Sequence, residues 1–472
     1  MDVAELDRLQ FGMTISFHFV FPAITVGLAG LIAIVETLRW WTNKDVYDRL
    51  SVFMTKLFAV TFVIGVVSGI VMEFQFGTNW ARFSGFVGDI VGTPLALEGI
   101  SAFFLESAFV GIVLFGRHRV SSTVRWVAGL LVCAGTTLSV FWIIVANSWM
   151  QSPDGYKIVT GSDGVQRAQL VDFFKATFNP TTLPRFMHTV TACWVVGAFF
   201  LMGISAWYVL RGRNSDATAF ALRLSVVVAF LATGGMFATG DLQTRTVAAN
   251  QPLKFAAMEG ICATQQGVGL SIIGVPPNQS CTTSGPTLEV PYALSLMSDL
   301  DPNGTIKGLD QQPNQALWPP VAETFLGFHL MVGLGTLMFL LMLLGMFFLW
   351  RRSIEKHRWW LWLLVLAIPA PIIAAELGWM TAEVGRQPWI VYGLMMTTAG
   401  TSPAVSATDV TISLTAILLL YALLFFLWIY ALRKEIIRGP ETGADTGTEA
   451  GTDAGTTGAA TPGEPAGGKG GL

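Results

Sequence analysis

Nine apolar runs, each long enough to cross a bilayer, leave this 472-residue chain little choice of fold. They lie near residues 11–38, 53–76, 93–115, 125–149, 185–210, 217–240, 323–350, 358–380 and 408–432. A backbone in hydrocarbon must satisfy its own hydrogen bonds, and runs of this length do so as helices. The expected class is an all-α integral membrane protein, a bundle of about nine transmembrane helices. Composition agrees. Hydrophobic residues make up 53% of the chain and charged residues 12%, about half the share usual in soluble domains. A lipid bilayer is the expected surroundings, and no nucleic-acid partner is expected.

Charge is distributed by loop. Arg39, Lys44 and Arg49 follow the first span, and Arg117, Arg119 and Arg125 surround the gap after the third. Arg211, Arg213 and Arg223 follow the fifth, Arg351, Arg352, Lys356 and Arg358 the seventh, and Arg433, Lys434 and Arg438 the ninth. The alternate loops and the acidic start "MDVAELD" are poor in basic residues or mix the signs. Basic loops stay cytoplasmic, which predicts an outer N-terminus and a cytoplasmic C-terminus. The first run lacks a basic leader and exceeds a signal peptide in length, so it is expected to remain as a helix.

The expected organisation is helices one to six over 1–240, an extracytoplasmic segment over 241–322, helices seven to nine over 323–435 and a tail over 436–472. The tail's Gly, Thr, Ala and acidic residues have nothing to bury, and disorder is expected there. A polar segment as long as 241–322 is unlike an idle connection. It contains Cys262 and Cys281, for which the outer compartment permits a disulfide, with two free thiols as the alternative. Cys133 and Cys193 fall within spans and are expected to pack.

Polar groups inside spans cost about 2.5–3.5 kcal/mol each when charged, so each needs a reason. His118 and His357 fall in basic loops and are expected to be solvated. His18, His188 and His329 fall inside spans one, five and seven, each near the same membrane face. A single such histidine is as often a hydrogen-bonding group as a ligand; several at one depth point to haem. Met331 shares that depth, and a thioether can be a sixth ligand. Glu98 and Glu106 in "LEGISAFFLES" would stand about 80° apart around a regular helix and about 12 Å along it. They read as rungs of a proton path or as partners of basic neighbours. Lys254 and Glu259 in "NQPLKFAAMEG" are five apart, a poor spacing for a helical ion pair. Solvated charges are the bland reading, and a cation and acid holding a polar ring the sharp one. "GWMTAEVGRQPW" puts Glu383 and Arg386 at the end of span eight, either as a charged helix end reaching water or as a ligand and its partner.

"GRQPW", "FQFGTNW", "LEGISAFFLES", "LPRFMHTV", "QPLKFAAMEG" and "FHLMVGLG" resemble subunit I of the cytochrome bd family of bacterial quinol oxidases, from about residue 5 to 435. The resemblance implies three haems near the outer face. His188 and Met331 would be the axial ligands of a low-spin haem b. His18 and Glu383 would each hold one of a high-spin haem b and a haem d, with the division between them left open. Arg386, Trp379 and His329 would surround the haems, and Glu98, Glu106 and Asn147 would serve a proton path. Lys254 and Glu259 would bind quinol in a short quinol loop. Quinol oxidation outside and oxygen reduction with cytoplasmic protons would build a proton gradient without pumping. The family implies a second membrane subunit, subunit II, and a small accessory subunit. His329 departs from the family, which often has Arg there. Ser148 stands where Gly is common. A quinol oxidase carrying haem b alone, of the cyanide-insensitive kind, keeps the same fold. A secondary transporter would show two similar halves, which this chain lacks.

Overall fold

The computed structural model describes residues 2–117, 119–282 and 287–440. His118 and the expected tail beyond residue 440 lie outside the described residues. Among the described residues nine helical spans are long and apolar enough to cross a membrane. In chain order the bundle runs α1 (Val3–Thr42), α2 (Asp45–Thr78), α3 (Ala81–Leu97), α4 (Phe104–Phe115) and α5 (Ser122–Gln151). A hairpin, β1 (Tyr156–Thr160) and β2 (Gln166–Leu170), and a short α6 (Phe173–Thr177) lead into α7 (Thr182–Leu210) and α8 (Asp216–Asn250). A cap follows, with α9 (Pro252–Glu259), β3 (Gln265–Gln266), β4 (Leu270–Gly274), β5 (Thr287–Val290), α10 (Ala293–Asp299) and β6 (Thr305–Ile306). The last spans are α11 (Val321–Trp350), the pair α12 (Arg358–Leu366) and α13 (Ala370–Val384), and α14 (Ala407–Arg438). The cap and the β1–β2 hairpin stand at one end of the bundle, called the cap side; the short basic connections stand at the other.

Two helices are central. In their most apolar windows α7 is 83% buried and α1 72%, against 17% for α14. Gly27 and Gly197 bring them together: a Cβ on Gly197 would lie 2.4 Å from the Gly27 carbonyl carbon, and one on Gly27 2.2 Å from the Cys193 carbonyl oxygen. Small residues allow such close backbone approach, which apolar lipid would not otherwise drive.

Several expected boundaries move. Most spans are longer than expected, because apolar runs mark the hydrocarbon and the helices continue into the interface. α8 extends to Asn250, so the cap begins about ten residues later than 241, and α14 runs to Arg438, taking the first residues assigned to the tail. Span three is not one regular helix. Pro94 removes a backbone donor, and a π-helical turn over Glu98–Phe103 separates α3 from α4. The regular spacing expected between Glu98 and Glu106 therefore does not hold. His357 is not simply solvated; it stacks on Phe348 at 4.0 Å and meets Ser353 Oγ at 3.2 Å. The cap has its own core, with Phe255, Ile261, Val268, Leu309 and Trp318 buried together.

On the basic side the arginines are not all in water. Glu36 is fully buried and pairs with Arg39 at 2.8 Å and Arg125 at 2.7 Å. Arg125 also pairs with Asp48, which Arg117 meets at 2.7 Å. Ser51 donates to Glu36. These contacts join α1, α2 and α5; the Glu36–Arg39 spacing of three was their legible signal.

Gly197→Leu is expected to lower stability by about 3 kcal/mol or more, since the α1 backbone leaves no room for a side chain. Thermal unfolding of the purified protein checks this. An unchanged midpoint would mean that the two helices separate at little cost.

Candidate functional site: a cavity between the spans and the cap

His18 lies on α1, and its ring is packed by α2. Its Nδ1 is 3.0 Å from Ser68 Oγ, and a Cβ on Gly69 would lie 3.0 Å from its Cε1. His188 lies one and a half turns into α7, where its Nδ1 is 3.3 Å from Thr239 Oγ1 of α8. In each case a hydroxyl fixes one ring nitrogen, the arrangement that orients an imidazole as a metal ligand. Met331 of α11 rests against Gly378 of α13, where a Cβ would approach its sulfur to 2.8 Å. His188, Met331, Trp379, Lys254 and Glu259 all line a single cavity of about 690 Å³ between the spans and the cap. Trp379 meets Phe19 edge-on at 5.7 Å.

Beside this cavity is a polar cluster in which Arg185, Gln151, Lys254 and Arg386 are buried and Glu383 is half-buried. Glu383 accepts from Asn147 Nδ2 at 2.9 Å, Gln151 Nε2 at 3.2 Å and Arg386 Nη2 at 2.5 Å. Arg185 donates to Asn147 Oδ1 at 2.5 Å, and Lys254 Nζ to Gln151 Oε1 at 2.5 Å. Three basic side chains thus surround one carboxylate. Arg386 is 6% exposed, and its Nε and Nη1 have no hydrogen-bond partner among the described residues. The sequence singled out Asn147, Lys254, Glu383 and Arg386 but missed Arg185 and Gln151. Arg185 had a signal, a charge opening an apolar run three residues before His188.

The remaining expected residues separate into groups. Glu98 accepts from Ser139 Oγ at 2.5 Å, and Glu106 packs on Gly135, both against α5. Asn147 belongs to the Glu383 cluster. His329 lines the cavity with both ring nitrogens on backbone carbonyls, Nδ1 3.0 Å from Phe325 O and Nε2 3.2 Å from Ser271 O in β4. Lys254 and Glu259 are 2% and 4% exposed, which rules out the reading of solvated charges. Cys262 and Cys281 are joined by a disulfide, tying the segment between β4 and β5 to the chain just after Glu259.

The sequence profile described as "Cytochrome bd terminal oxidase subunit I" matches residues 6–440. The chain belongs to the cytochrome bd terminal oxidase subunit I family. It is 35% identical to the cytochrome bd ubiquinol oxidase subunit 1 of Bacillus subtilis (strain 168), over 93% of this chain and 95% of that one. It is 34% identical to the cytochrome bd-II ubiquinol oxidase subunit 1 of Escherichia coli (strain K12), over 93% and 97%. The bd oxidase structure from Geobacillus thermodenitrificans superposes with a TM-score of 0.86 at 29% identity, covering 93% of this chain and 99% of that one. As a subunit I of the bd family, this chain is a multi-pass plasma-membrane protein with haem cofactors.

The residues present fit haem. Among the described residues no three His, Cys, Asp or Glu side chains converge to hold a bare metal ion. Haem brings four ring nitrogens and asks the protein for one or two axial donors, which isolated His18, His188, Met331 and Glu383 can supply. Its propionates are anions, and the unpartnered Arg386 donors beside Arg185 and Lys254 call for anions.

Burial pushes the Glu259 carboxyl up to about 8, and burial, reinforced by Arg185, holds Lys254 well below its usual range. A neutral Glu259 favoured by the fold means that stability falls as pH rises from about 4.5 through about 8. Were Glu259 the base of a quinol oxidation, it would have to be ionised, and the rate would rise with pH through about 8. Glu259→Gln should flatten that limb of the kcat/KM profile; a rising limb kept by the variant would remove Glu259 from the proton transfer.

Proposed function

We propose that this chain is the haem-bearing subunit of a terminal quinol:oxygen oxidoreductase, and that the cap-side cavity is where quinol gives up its electrons. The observation that carries this reading is the shared cavity, lined at once by His188 and Met331 and by Lys254 and Glu259. A quinol site and a redox centre must lie side by side for direct transfer. The ligand assignment is His188 and Met331 for a low-spin haem b, with His18 and Glu383 each holding one of a high-spin haem b and a haem d. Haem supplies one-electron chemistry when bound and, where only one axial ligand is present, an open position for oxygen.

The chain's own residues then divide the remaining work. Glu259 accepts a proton from the quinol hydroxyl, and Lys254, held by Gln151, orients a ring oxygen. Arg386 and Arg185 would hold propionates, and Arg386, which donates to Glu383, would keep that carboxylate in place as a ligand. Glu106, nearer the basic side, and Glu98, beside Ser139, relay protons towards the haems along α5. Asn147 positions Glu383 at the end of that route. The basic side is assigned to the cytoplasm and the cap side to the exterior. Protons from quinol leave outside and protons for oxygen enter from inside, so a gradient forms without a pump. In the cap that follows α8, the quinol site is carried by α9 at Lys254 and Glu259, subunit II pairs with this chain, and a small accessory subunit completes the enzyme.

A reduced-minus-oxidised spectrum of the purified oxidase should contain a long-wavelength haem d band beside the haem b bands. Haem b bands alone would place the chain with the haem b variant, and the lack of any haem would overturn the oxidase reading. Met331→Leu keeps volume and apolarity, so the packing loss should stay below about 1.5 kcal/mol. The low-spin signal should be lost and quinol oxidation slowed; an unaltered signal would show that Met331 only packs.

Glu106→Gln preserves shape and removes a titratable site. Oxygen reduction should slow by about a hundredfold, the scale of a lost acid–base group, with quinol KM unchanged. Turnover equal to that of the parent enzyme would return Glu106 to a structural role.

A further inference from the structure

The cap wall of the cavity is apolar on its outer side as well. Ile272, Ile273, Val275, Leu288 and Val290 are between 44% and 70% exposed. They belong to β4, β5 and the residue after β4, with Ile273 opposite Leu288 and Leu270 opposite Val290. Tyr292, Leu296 and Leu300, in and around α10, add exposures of 55%, 48% and 70%. Across 270–275 and 287–300 the acidic or basic side chains are Glu289 and Asp299, the latter at the end of α10. A contiguous apolar patch of this kind is not a stable water-facing surface.

Its position says what covers it. The cavity is lined by Ile272 and Ile273 of β4, and also by Phe237 of α8 and Val332 and Leu337 of α11. Those three are 49%, 45% and 63% exposed on the flank of the bundle, where the spans meet hydrocarbon. The cavity therefore reaches the flank between α8 and α11, and the apolar hairpin stands at the cap-side edge of the same opening. His329 packs β4 against α11, with its Nε2 3.2 Å from the Ser271 carbonyl oxygen.

We propose that the β4–β5 hairpin, with α10, seats in the boundary between acyl chains and headgroups and forms the lipid-side lip of the cavity. Phospholipid acyl chains cover Ile273, Leu288 and Val290, and Tyr292 lies at headgroup level, where amphipathic rings belong. A membrane-dissolved quinol enters sideways between α8 and α11, beneath the lip. Only the identity of the entering molecule rests on the oxidase reading; the lipid contact does not.

The test places the photoreactive residue p-benzoylphenylalanine at Leu288 and, separately, at Val275, in the complete oxidase in phosphatidylethanolamine–phosphatidylglycerol liposomes. Illumination should give peptides carrying a phospholipid mass at both positions and none at a control placed at Asp301. A cross-link to another polypeptide would make the hairpin a protein interface, and no cross-link would make it water-facing; either overturns the proposal. Neither readout requires turnover. As a second measurement, Leu288→Asp with Val290→Asp, neither of which lines the cavity, should raise KM about tenfold for a long-tailed quinol in liposomes. KM for a short-chain soluble quinol should change by less than about twofold. Equal changes for the two quinols would overturn entry beneath the lip.

Discussion

The contact between Gly27 and Gly197 sets the geometry on which everything else depends. Lipid is as apolar as leucine, so burial alone does not hold two spans together; close packing does. With α1 and α7 in backbone contact, His18 and His188 are carried on two helices whose separation is fixed. α2 and α8 then supply the hydroxyls of Ser68 and Thr239 that aim the two rings. Met331 completes the arrangement from α11, placed by a second glycine contact at Gly378. Each of these proposed donors comes from a different helix, so their arrangement is a property of the bundle and of no local motif.

Charge is handled by the same economy. Buried cations are tolerated only when paired, yet the Glu383 cluster carries three basic side chains and one acid. That imbalance makes sense in a site built around an anionic cofactor, because the missing negative charge arrives with it. Glu383, half-buried at its helix end, is more than a solvated charge. Asn147, Gln151 and Arg386 satisfy it where it is.

Much of this was legible in the sequence, and what was not has physical causes. Span number and order follow from length and hydropathy, which depend on composition over twenty residues and tolerate local noise. The ends were misjudged because hydropathy reports hydrocarbon while capping and packing decide where a helix stops, as in α8. The break at Glu98 was invisible to any regular periodicity; only Pro94, one turn before, hinted at it. Of the site, residues with unusual chemistry for a membrane stood out: histidines, carboxylates and the Lys254–Glu259 pair. Gln151, Ser68 and Thr239 did not, since a neutral polar residue gains meaning only from a partner distant in sequence. Arg185 and Glu36 were readable in principle, as charges within or bordering apolar runs.

The buried ion pairs on the basic side give Arg39, Arg117 and Arg125 two successive lives. During insertion each is an unpaired charge that resists translocation and helps decide which way the first helices face. Once the bundle closes, the same guanidiniums are spent on Glu36 and Asp48, and the mature protein no longer displays them as free positive charge. Topogenesis and stability are thereby written in the same residues and read at different times.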